Sequence, residues 1–216
     1  MLRAMNIGIL GSGDVGQTLA TGFLQHGHAV VVGTRDPAKL AAWAQANPTG
    51  RVASPAAAAQ FGEVVVLAVK GAIAAEALAA AGADALAGKV AIDACNPIAD
   101  TPPESGVLRF FTDLNDSLME RLQRAFPAVR FVKAFNSVGA PCMIDPKFAG
   151  GRPTMFIAGN DADAKRTVAL ILDQFGWDAE DCGPAVAARA IEPLCMLWCI
   201  PGFAKNDWVH AFKLLR

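Results

Sequence analysis

Residues 6–27, "NIGILGSGDVGQTLATGFLQHG", decide the fold. A short apolar run is followed by Gly11, Gly13 and Gly16 in the spacing G-x-G-x-x-G, and then by a stretch of helical character that ends at Gly27. This order of strand, glycine turn and helix is the fingerprint of a dinucleotide-binding βαβ unit. The first glycine permits a tight turn, the second lets the backbone approach a pyrophosphate, and the third lets the helix pack closely on the strand.

The next apolar run ends in "TRDPAKL", which carries three charges. Asp36 precedes a proline, the pattern of a helix N-cap, so we expect backbone amides to occupy its carboxylate. Thr34 and Arg35 then remain at the strand tip, with Lys39 in the first turn of the helix that follows, and a hydroxyl with two cations suits the 2'-phosphate of NADP. The alternative is that Arg35 and Lys39 are ordinary solvated charges.

Composition narrows the functional classes. With 216 residues and a net charge of -1, the chain has no global attraction to nucleic acid or to anionic membranes. Five cysteines without a C-x-x-C pair, and no secretory leader before the fingerprint, predict a cytoplasmic protein. No histidine stands near Cys195 and Cys199, so we expect buried thiols and no metal site. Because tyrosine is absent, the tyrosine acid of many short-chain reductases is unavailable.

Strand and helix patterns alternate along the chain. A helix is predicted over residues 37–46, another begins after Ser54, and the run at residues 63–69 is apolar on both faces, as in a central parallel strand. Further strands are predicted in "KVAID" and "VRFVKAFNSV". The fold class is therefore α/β, a doubly wound, mostly parallel sheet (Rossmann NAD(P)-binding fold) with its ligand at the carboxyl ends of the strands.

The second half of the chain holds a long connection and a further α/β segment. Residues 97–115 are rich in proline, serine, glycine and aspartate, and form either a mobile lid or a simple crossover. We predict an NADP-binding domain over residues 1–140 and a C-terminal α/β extension over 141–216 docked on the same sheet. The run "LCMLWCIPGF", residues 194–203, predicts a core, pocket or subunit-interface helix, and homodimerisation through it is a hypothesis.

Seven segments, in order across nearly the whole chain, resemble the NADPH-dependent reductases of the deazaflavin coenzyme F420. This family includes the cytosolic domain of the STEAP metalloreductases. The segments are "GSGDVGQ", "VVGTRDPAK", "EVVVLAVK", "DACNP", "VKAFNSVG", "FIAGND" and "DCGP" followed by "IEPL". The resemblance implies an oxidoreductase that uses NADP(H), with coenzyme F420 or a flavin (FAD or FMN) as the hydride acceptor.

The resemblance also implies the binding residues. It assigns Gly11, Ser12, Gly13, Asp14, Val15 and Gly16 to the pyrophosphate turn, Thr34, Arg35 and Lys39 to the 2'-phosphate, Ala68, Val69 and Lys70 to the length of the dinucleotide, Asn96 and Pro97 to the nicotinamide half, and Ala134 through Val138 to the meeting point of nicotinamide and acceptor. Asn136 stands where archaeal members place a histidine against the deazaflavin. Asparagine hydrogen-bonds but does not titrate near neutrality, which leaves the acceptor open.

Hydride transfer between two planar rings requires orientation and exclusion of water more than an acid or base. The acceptor-side candidates are Asn136, Val138 and Lys133, although Lys133 could equally extend from the strand end to solvent. Two alternatives stay open. An imine or ketone reductase needs a proton donor and usually a long helical C-terminal domain, whereas only residues 185–216 follow "DCGP" here. A non-catalytic NADP(H)-binding sensor is the other.

Overall fold

The computed structural model describes residues 3–216, and in this range strands and helices alternate as the sequence predicts. The elements are β1 (Asn6–Leu10), α1 (Asp14–Gln25), β2 (Ala29–Gly33), α2 (Ala41–Ala46), β3 (Arg51–Ala53), α3 (Pro55–Phe61), β4 (Val64–Leu67), α4 (Ala74–Ala81), α5 (Ala83–Leu86), β5 (Val90–Asp93), α6 (Leu118–Ala125), β6 (Arg130–Lys133), β7 (Thr154–Ile157), α7 (Ala162–Gln174), β8 (Asp178–Asp181), α8 (Ala188–Ile191) and α9 (Leu194–Lys205).

Six parallel strands form the main sheet in the order β3-β2-β1-β4-β5-β6. This is the strand order of the Rossmann fold, so the predicted fold class is confirmed. The register pairs Gly33, Leu10, Leu67, Asp93 and Lys133 in one row across five strands. The turns that leave these strands therefore emerge together at one edge of the sheet. The order reverses between β1 and β4, the switch point where such sheets bind ligands.

Local sequence signals set the helix starts. The Ser54 hydroxyl accepts the Ala57 N–H at 3.2 Å and Pro55 occupies the first position of α3. Ser117 and Glu120 form a reciprocal capping box at the start of α6. The four residues of β4 are all buried, as a strand covered by helices on both faces requires.

The connection after β5 folds as a narrow antiparallel hairpin. Its two arms are joined by the Ala99 N–H to the Arg109 carbonyl at 2.8 Å and by the Phe111 N–H to the Pro97 carbonyl at 2.9 Å. Its tip lies against α9, since a Cβ added to Gly106 would be 3.1 Å from that of Phe203. The connection thus forms one wall of the region beside the strand ends.

The C-terminal segment has its own sheet of two parallel strands, β7 and β8. Within residues 3–216 it is bridged to the main sheet once, in antiparallel orientation, where the Lys133 N–H donates to the Ala158 carbonyl at 2.9 Å. The extension therefore meets the end of β6 instead of adding a full strand to the large sheet. The boundary between residues 140 and 141 stays a prediction.

The helical stretch Ala185–Lys205 is longer than the apolar run at residues 194–203, because a 3-10 turn and α8 lead into α9. Its 21 residues, with a mean hydropathy of 1.3, would suffice by length and composition to cross a membrane, and 33% of the window is buried. Its Glu192, however, is buried and lies 2.8 Å from Lys133 Nζ at the end of β6. This contact makes the stretch a packing element of the α/β domain.

Candidate functional site

The glycine turn between β1 and α1 has the geometry that its spacing predicts. Gly11 has a φ of +138°, and a Cβ there would lie 2.1 Å from the Ala68 carbonyl oxygen. A Cβ on Gly16 would lie 2.3 Å from the Gly11 carbonyl oxygen. A Cβ on Gly13 would meet no atom within 4 Å. Gly11 and Gly16 thus serve close packing, whereas Gly13 keeps the space above the turn open.

The N-terminus of α1 points backbone donors at this space. Gly13 has no side chain with which to cap the helix, and the N–H groups of Asp14, Val15 and Gly16 have no acceptor among residues 3–216. The loop is held from below by Gln17, whose Nε2 donates to the Ser12 carbonyl at 2.8 Å. Free N–H groups together with the positive end of the helix dipole form an anion site. A pyrophosphate fits this donor set and this open cradle.

The tip of β2 confirms the predicted helix cap. Asp36 accepts the Ala38 N–H at 3.2 Å at the start of the following 3-10 turn. The Thr34 hydroxyl donates to the Asp36 carbonyl and accepts the Asp36 N–H, both at 3.1 Å, so Thr34 shapes the turn. Arg35 and Lys39 are exposed, and neither has a carboxylate within 4 Å among the described residues. Two cations are therefore available for an anion beside the strand tip.

The turn after β4 lies next to the glycine turn. The Ala68 carbonyl faces Gly11, while Val69 is half-buried and Lys70 is exposed at the start of the turn into α4. A Cβ on Gly71 would lie 2.1 Å from the Asn96 carbonyl oxygen, so this turn also packs tightly on the one after β5. Residues 68–70 thus lie between the glycine turn and the ends of β5 and β6.

Two asparagines join the turns that follow β5 and β6. Asn96 Nδ2 donates to the Asn136 carbonyl at 2.8 Å, and Asn136 Nδ2 donates to Asn96 Oδ1 at 3.3 Å and to the Ile191 carbonyl at 2.9 Å. Asn136 Oδ1 is buried without a partner among the described residues. Pro97, like Asn136, is buried. The turn after β5, the turn after β6 and α8 are thereby held in one arrangement.

The chain after β6 bends through an unusual residue. Phe135 has a φ of +63° with its ring 1% exposed, although the left-handed region disfavours bulky side chains. Its N–H contacts Met155 Sδ at 3.2 Å. Ala134 through Val138 are all buried, with Val138 7% exposed. Strain of this kind persists where the surroundings impose it and is frequent at functional sites.

Lys133 lies beneath this bend and is fully buried. The interpretation that it extends to solvent is therefore wrong. Its Nζ lies 2.7 Å from Asp93 Oδ2, 2.8 Å from Glu192 Oε1 and 2.9 Å from the Cys95 carbonyl oxygen. Burial alone would lower the pKa of Lys133, but the two carboxylates outweigh it and hold the pKa above its ordinary value. Lys133 supports the site from below and has no exposed surface with which to touch an acceptor.

The hairpin and the C-terminal helices enclose a cleft of about 420 Å³. The cleft is lined by apolar residues and by a charged group, namely Leu108, Phe110, Leu114, Pro193 and Met196 together with Arg109, Asp113, Asp116, Arg189 and Glu192. This cleft is adjacent to the Asn136 turn, because Ile191 precedes Glu192 and its carbonyl accepts from Asn136. Trp198, by contrast, packs against His210 with ring centroids 4.9 Å apart and is not among the lining residues.

Sequence reasoning missed three features of this region. The partners of Lys133 were not foreseen, although an aspartate ends β5 and a glutamate interrupts the apolar C-terminal stretch. The left-handed Phe135 had no sequence signal. The cleft depends on the hairpin, and the composition of this loop did not predict that it folds as a hairpin.

The fold and this row of turns define a Rossmann-type NADP-dependent oxidoreductase. The family model described as "NADP oxidoreductase coenzyme F420-dependent" matches residues 6–97. The chain is 30% identical over 207 residues to the F420-dependent NADP reductase of Methanothermobacter marburgensis, covering 89% of this chain and 90% of that protein. The chain belongs to the F420-dependent NADP reductase family.

Two further comparisons agree with this assignment. A crystal structure of a candidate F420-dependent NADP-reductase from Arthrobacter sp. FB24 matches with a TM-score of 0.93 and 38% identity, over 99% of this chain and 100% of that one. The metalloreductase STEAP3 of Rattus norvegicus is 34% identical over 203 residues. These cover 92% of this chain but 39% of the rat protein, so the chain spans well under half of that relative.

Proposed function

We propose that this oxidoreductase transfers hydride between NADPH and a planar ring acceptor, coenzyme F420 first and a flavin (FAD or FMN) second. The observation that carries the proposal is a cleft, partly apolar, whose lining residue Glu192 follows Ile191, the residue whose carbonyl accepts from Asn136. Parallel sheets bind nucleotides across their carboxyl ends, so the nicotinamide half of NADPH would extend from the glycine turn toward this turn. A flat second ring in the cleft would then meet the nicotinamide face to face.

Nucleotide selection in this proposal rests on the tip of β2. Arg35 and Lys39 would bind the 2'-phosphate as exposed cations, while the Asp36 carboxylate accepts the Ala38 N–H and caps the next turn. The N–H groups of residues 14–16 would bind the pyrophosphate. The dihydronicotinamide supplies the hydride when NADPH is bound.

The polar groups at the ends of β5 and β6 favour hydride transfer to a ring acceptor over reduction of a carbonyl or imine, which needs a proton in addition to the hydride. Asp93 and Glu192 are buried and each is paired with the buried Lys133, and Asn136 is an amide. None of these four has the exposed acidic proton that reduction of an imine or ketone requires. Their arrangement holds the turns in place and excludes water, which is what transfer between two rings needs.

The proposal also covers the cellular location and the oligomeric state of the protein. We infer a cytoplasmic enzyme with no nucleic-acid or membrane partner, given its net charge of -1 and free cysteines. A homodimer through α9 is supported by the exposure of Leu197 and Phe203, which are 54% and 45% exposed. Sedimentation at working concentration tests the dimer, and a monomeric mass would refute it.

The acceptor is tested by mixing purified protein anaerobically with NADPH and one acceptor at a time: coenzyme F420, FAD, FMN, or a panel of imines and ketones. We expect NADPH oxidation with F420 and less or none with the others. Oxidation by FAD or FMN alone would move the acceptor to the flavins. Oxidation by imines or ketones alone would refute the ring-to-ring proposal.

A further inference from the structure

Asp93, Lys133 and Glu192 form a buried ion cluster of two carboxylates and one ammonium. Their side chains are 0%, 0% and 2% exposed. Lys133 Nζ forms ion pairs with Asp93 Oδ2 at 2.7 Å and with Glu192 Oε1 at 2.8 Å, and it donates to the Cys95 carbonyl at 2.9 Å. Asp93 Oδ1 accepts the Cys95 N–H at 2.9 Å. The two carboxylates face the Lys133 ammonium and the backbone N–H groups of Cys95, Leu118 and Met119. The cluster therefore carries one more negative than positive charge.

The N-terminus of α6 offsets part of this charge. Glu192 accepts the Leu118 N–H at 2.9 Å and the Met119 N–H at 3.0 Å, so the positive end of the helix dipole faces its carboxylate. A helix end contributes about half an elementary charge. Glu120, the acid of the capping box, pairs with Arg189 and adds no net charge beside it. The balance at the cluster remains negative.

The cluster lies directly behind the proposed nicotinamide site. Cys95, which bonds both Lys133 and Asp93, precedes Asn96, while Lys133 precedes Ala134. Glu192 follows Ile191, whose carbonyl holds Asn136. Because the cluster is buried, water and salt screen its field far less than they would screen a surface charge.

We infer that the buried ion cluster stabilises the oxidised nicotinamide relative to the reduced one, and so favours hydride release from NADPH. The inference rests on the proposed function. The nicotinamide ring becomes positive when hydride leaves it, and a fixed negative charge behind the ring binds the positive form more tightly. The three residues of the cluster do not touch the ring. They act on it through the electric field of their net negative charge.

The test compares the dissociation constants of NADP⁺ and NADPH, measured by calorimetry, in the parent and in two charge variants. Glu192→Gln and Asp93→Asn each bring the formal charge of the cluster from -1 to 0. We expect the ratio Kd(NADP⁺)/Kd(NADPH) to rise about three- to tenfold in each variant. This corresponds to an increase of about 15 to 30 mV in the potential of the bound couple, since tenfold is about 30 mV for two electrons.

Two controls separate charge from structure. Glu192→Asp keeps the charge while disturbing its contacts, and Leu122→Val loosens the buried face of α6 without changing any charge. Neither should move the ratio beyond the error of the measurement. If Glu192→Gln does not fold, Asp93→Asn carries the comparison.

The inference is overturned if both folded charge variants keep the parental ratio, or if Glu192→Asp shifts it as much as Glu192→Gln. Failure of the proposed function looks different, because the parent protein would then bind neither NADP⁺ nor NADPH, or would bind both without passing hydride to any ring acceptor.

Discussion

Gly13→Val separates binding from folding in the glycine turn. Gly13 has a φ of -82° and a ψ of -178°, which any residue adopts, and its Cβ would meet no atom within 4 Å. Replacing a good N-cap residue destabilises the fold, whereas replacing glycine stabilises it by lowering the entropy of the unfolded chain. Each effect changes the free energy of unfolding by about 0.5 to 1 kcal/mol. The free energy of unfolding should therefore change by less than about 1 kcal/mol.

NADPH binding should respond much more strongly, because the valine side chain would occupy the space that the N–H groups of residues 14–16 face. Each hydrogen bond to a charged group contributes about 1.5 to 3 kcal/mol. The loss of two such bonds costs about 3 kcal/mol or more, which raises the Kd about 100-fold. Titration of NADPH by fluorescence measures the affinity, and urea unfolding measures the stability.

The matched control is Gly16→Ala, whose Cβ would lie 2.3 Å from the Gly11 carbonyl oxygen. The free energy of unfolding of this variant should fall by about 1 to 3 kcal/mol, because a clash with a backbone atom can be relieved only by moving the backbone. A folded Gly13→Val protein that binds NADPH with a Kd within threefold of the parent would refute the placement of the pyrophosphate in this turn.

Three further predictions concern single side chains. Arg35→Ala should weaken NADPH binding about tenfold and leave NADH binding unchanged, as paired titrations would show; equal loss for both nucleotides would disprove the 2'-phosphate assignment. Lys133→Met should lower the free energy of unfolding by about 3 to 5 kcal/mol in urea, because it leaves two buried carboxylates without their cation; a loss under 1 kcal/mol would contradict the buried ion cluster. Hydrogen bonds from Arg3 and from the Asn6 backbone hold the pKa of Glu63 at about 2, against an ordinary value of 4.5. The ionised Glu63 therefore stabilises the folded protein above about pH 4.5, and this stabilisation is lost as the pH falls toward 2. Because the Arg3 and Glu63 side chains are both exposed, it amounts to less than about 1 kcal/mol. The Tm of Glu63→Gln should accordingly be lower than that of the parent at pH 6 and equal to it near pH 2. An equal Tm difference at both pH values would contradict the ion pair.

The sequence predicted the features whose causes are local. The glycine spacing gave the strand, turn and helix at residues 6–25, and the order of aspartate and proline gave the cap at Asp36. Steric limits on glycine and the hydrogen-bonding needs of helix ends act within a few residues, so they can be read along the chain. The family motifs extended this to the F420 reductase assignment.

The features that escaped prediction depend on distant parts of the chain. Lys133 is buried because Asp93 and Glu192, which are 40 and 59 residues away in sequence, converge on it at the sheet end. Phe135 adopts its left-handed conformation because the surrounding packing compensates for the strain. The cleft exists because a hairpin at residues 97–111 meets helices at residues 188–205. None of these contacts leaves a periodic pattern of residues in the sequence from which it could be predicted.

The central claim is direct hydride transfer from NADPH to a ring acceptor at the Asn136 turn. The measurement that tests it most directly is anaerobic stopped-flow reduction of coenzyme F420 with NADPH carrying deuterium at C4 of the nicotinamide, one C4 face at a time. A deazaflavin accepts hydride at carbon, so the label is retained in the product. We expect one face to give slower reduction and deuterium in the reduced deazaflavin, and the other face to give neither. F420 reduction without deuterium transfer from either face, or no F420 reduction by a protein that binds NADPH, would contradict the claim.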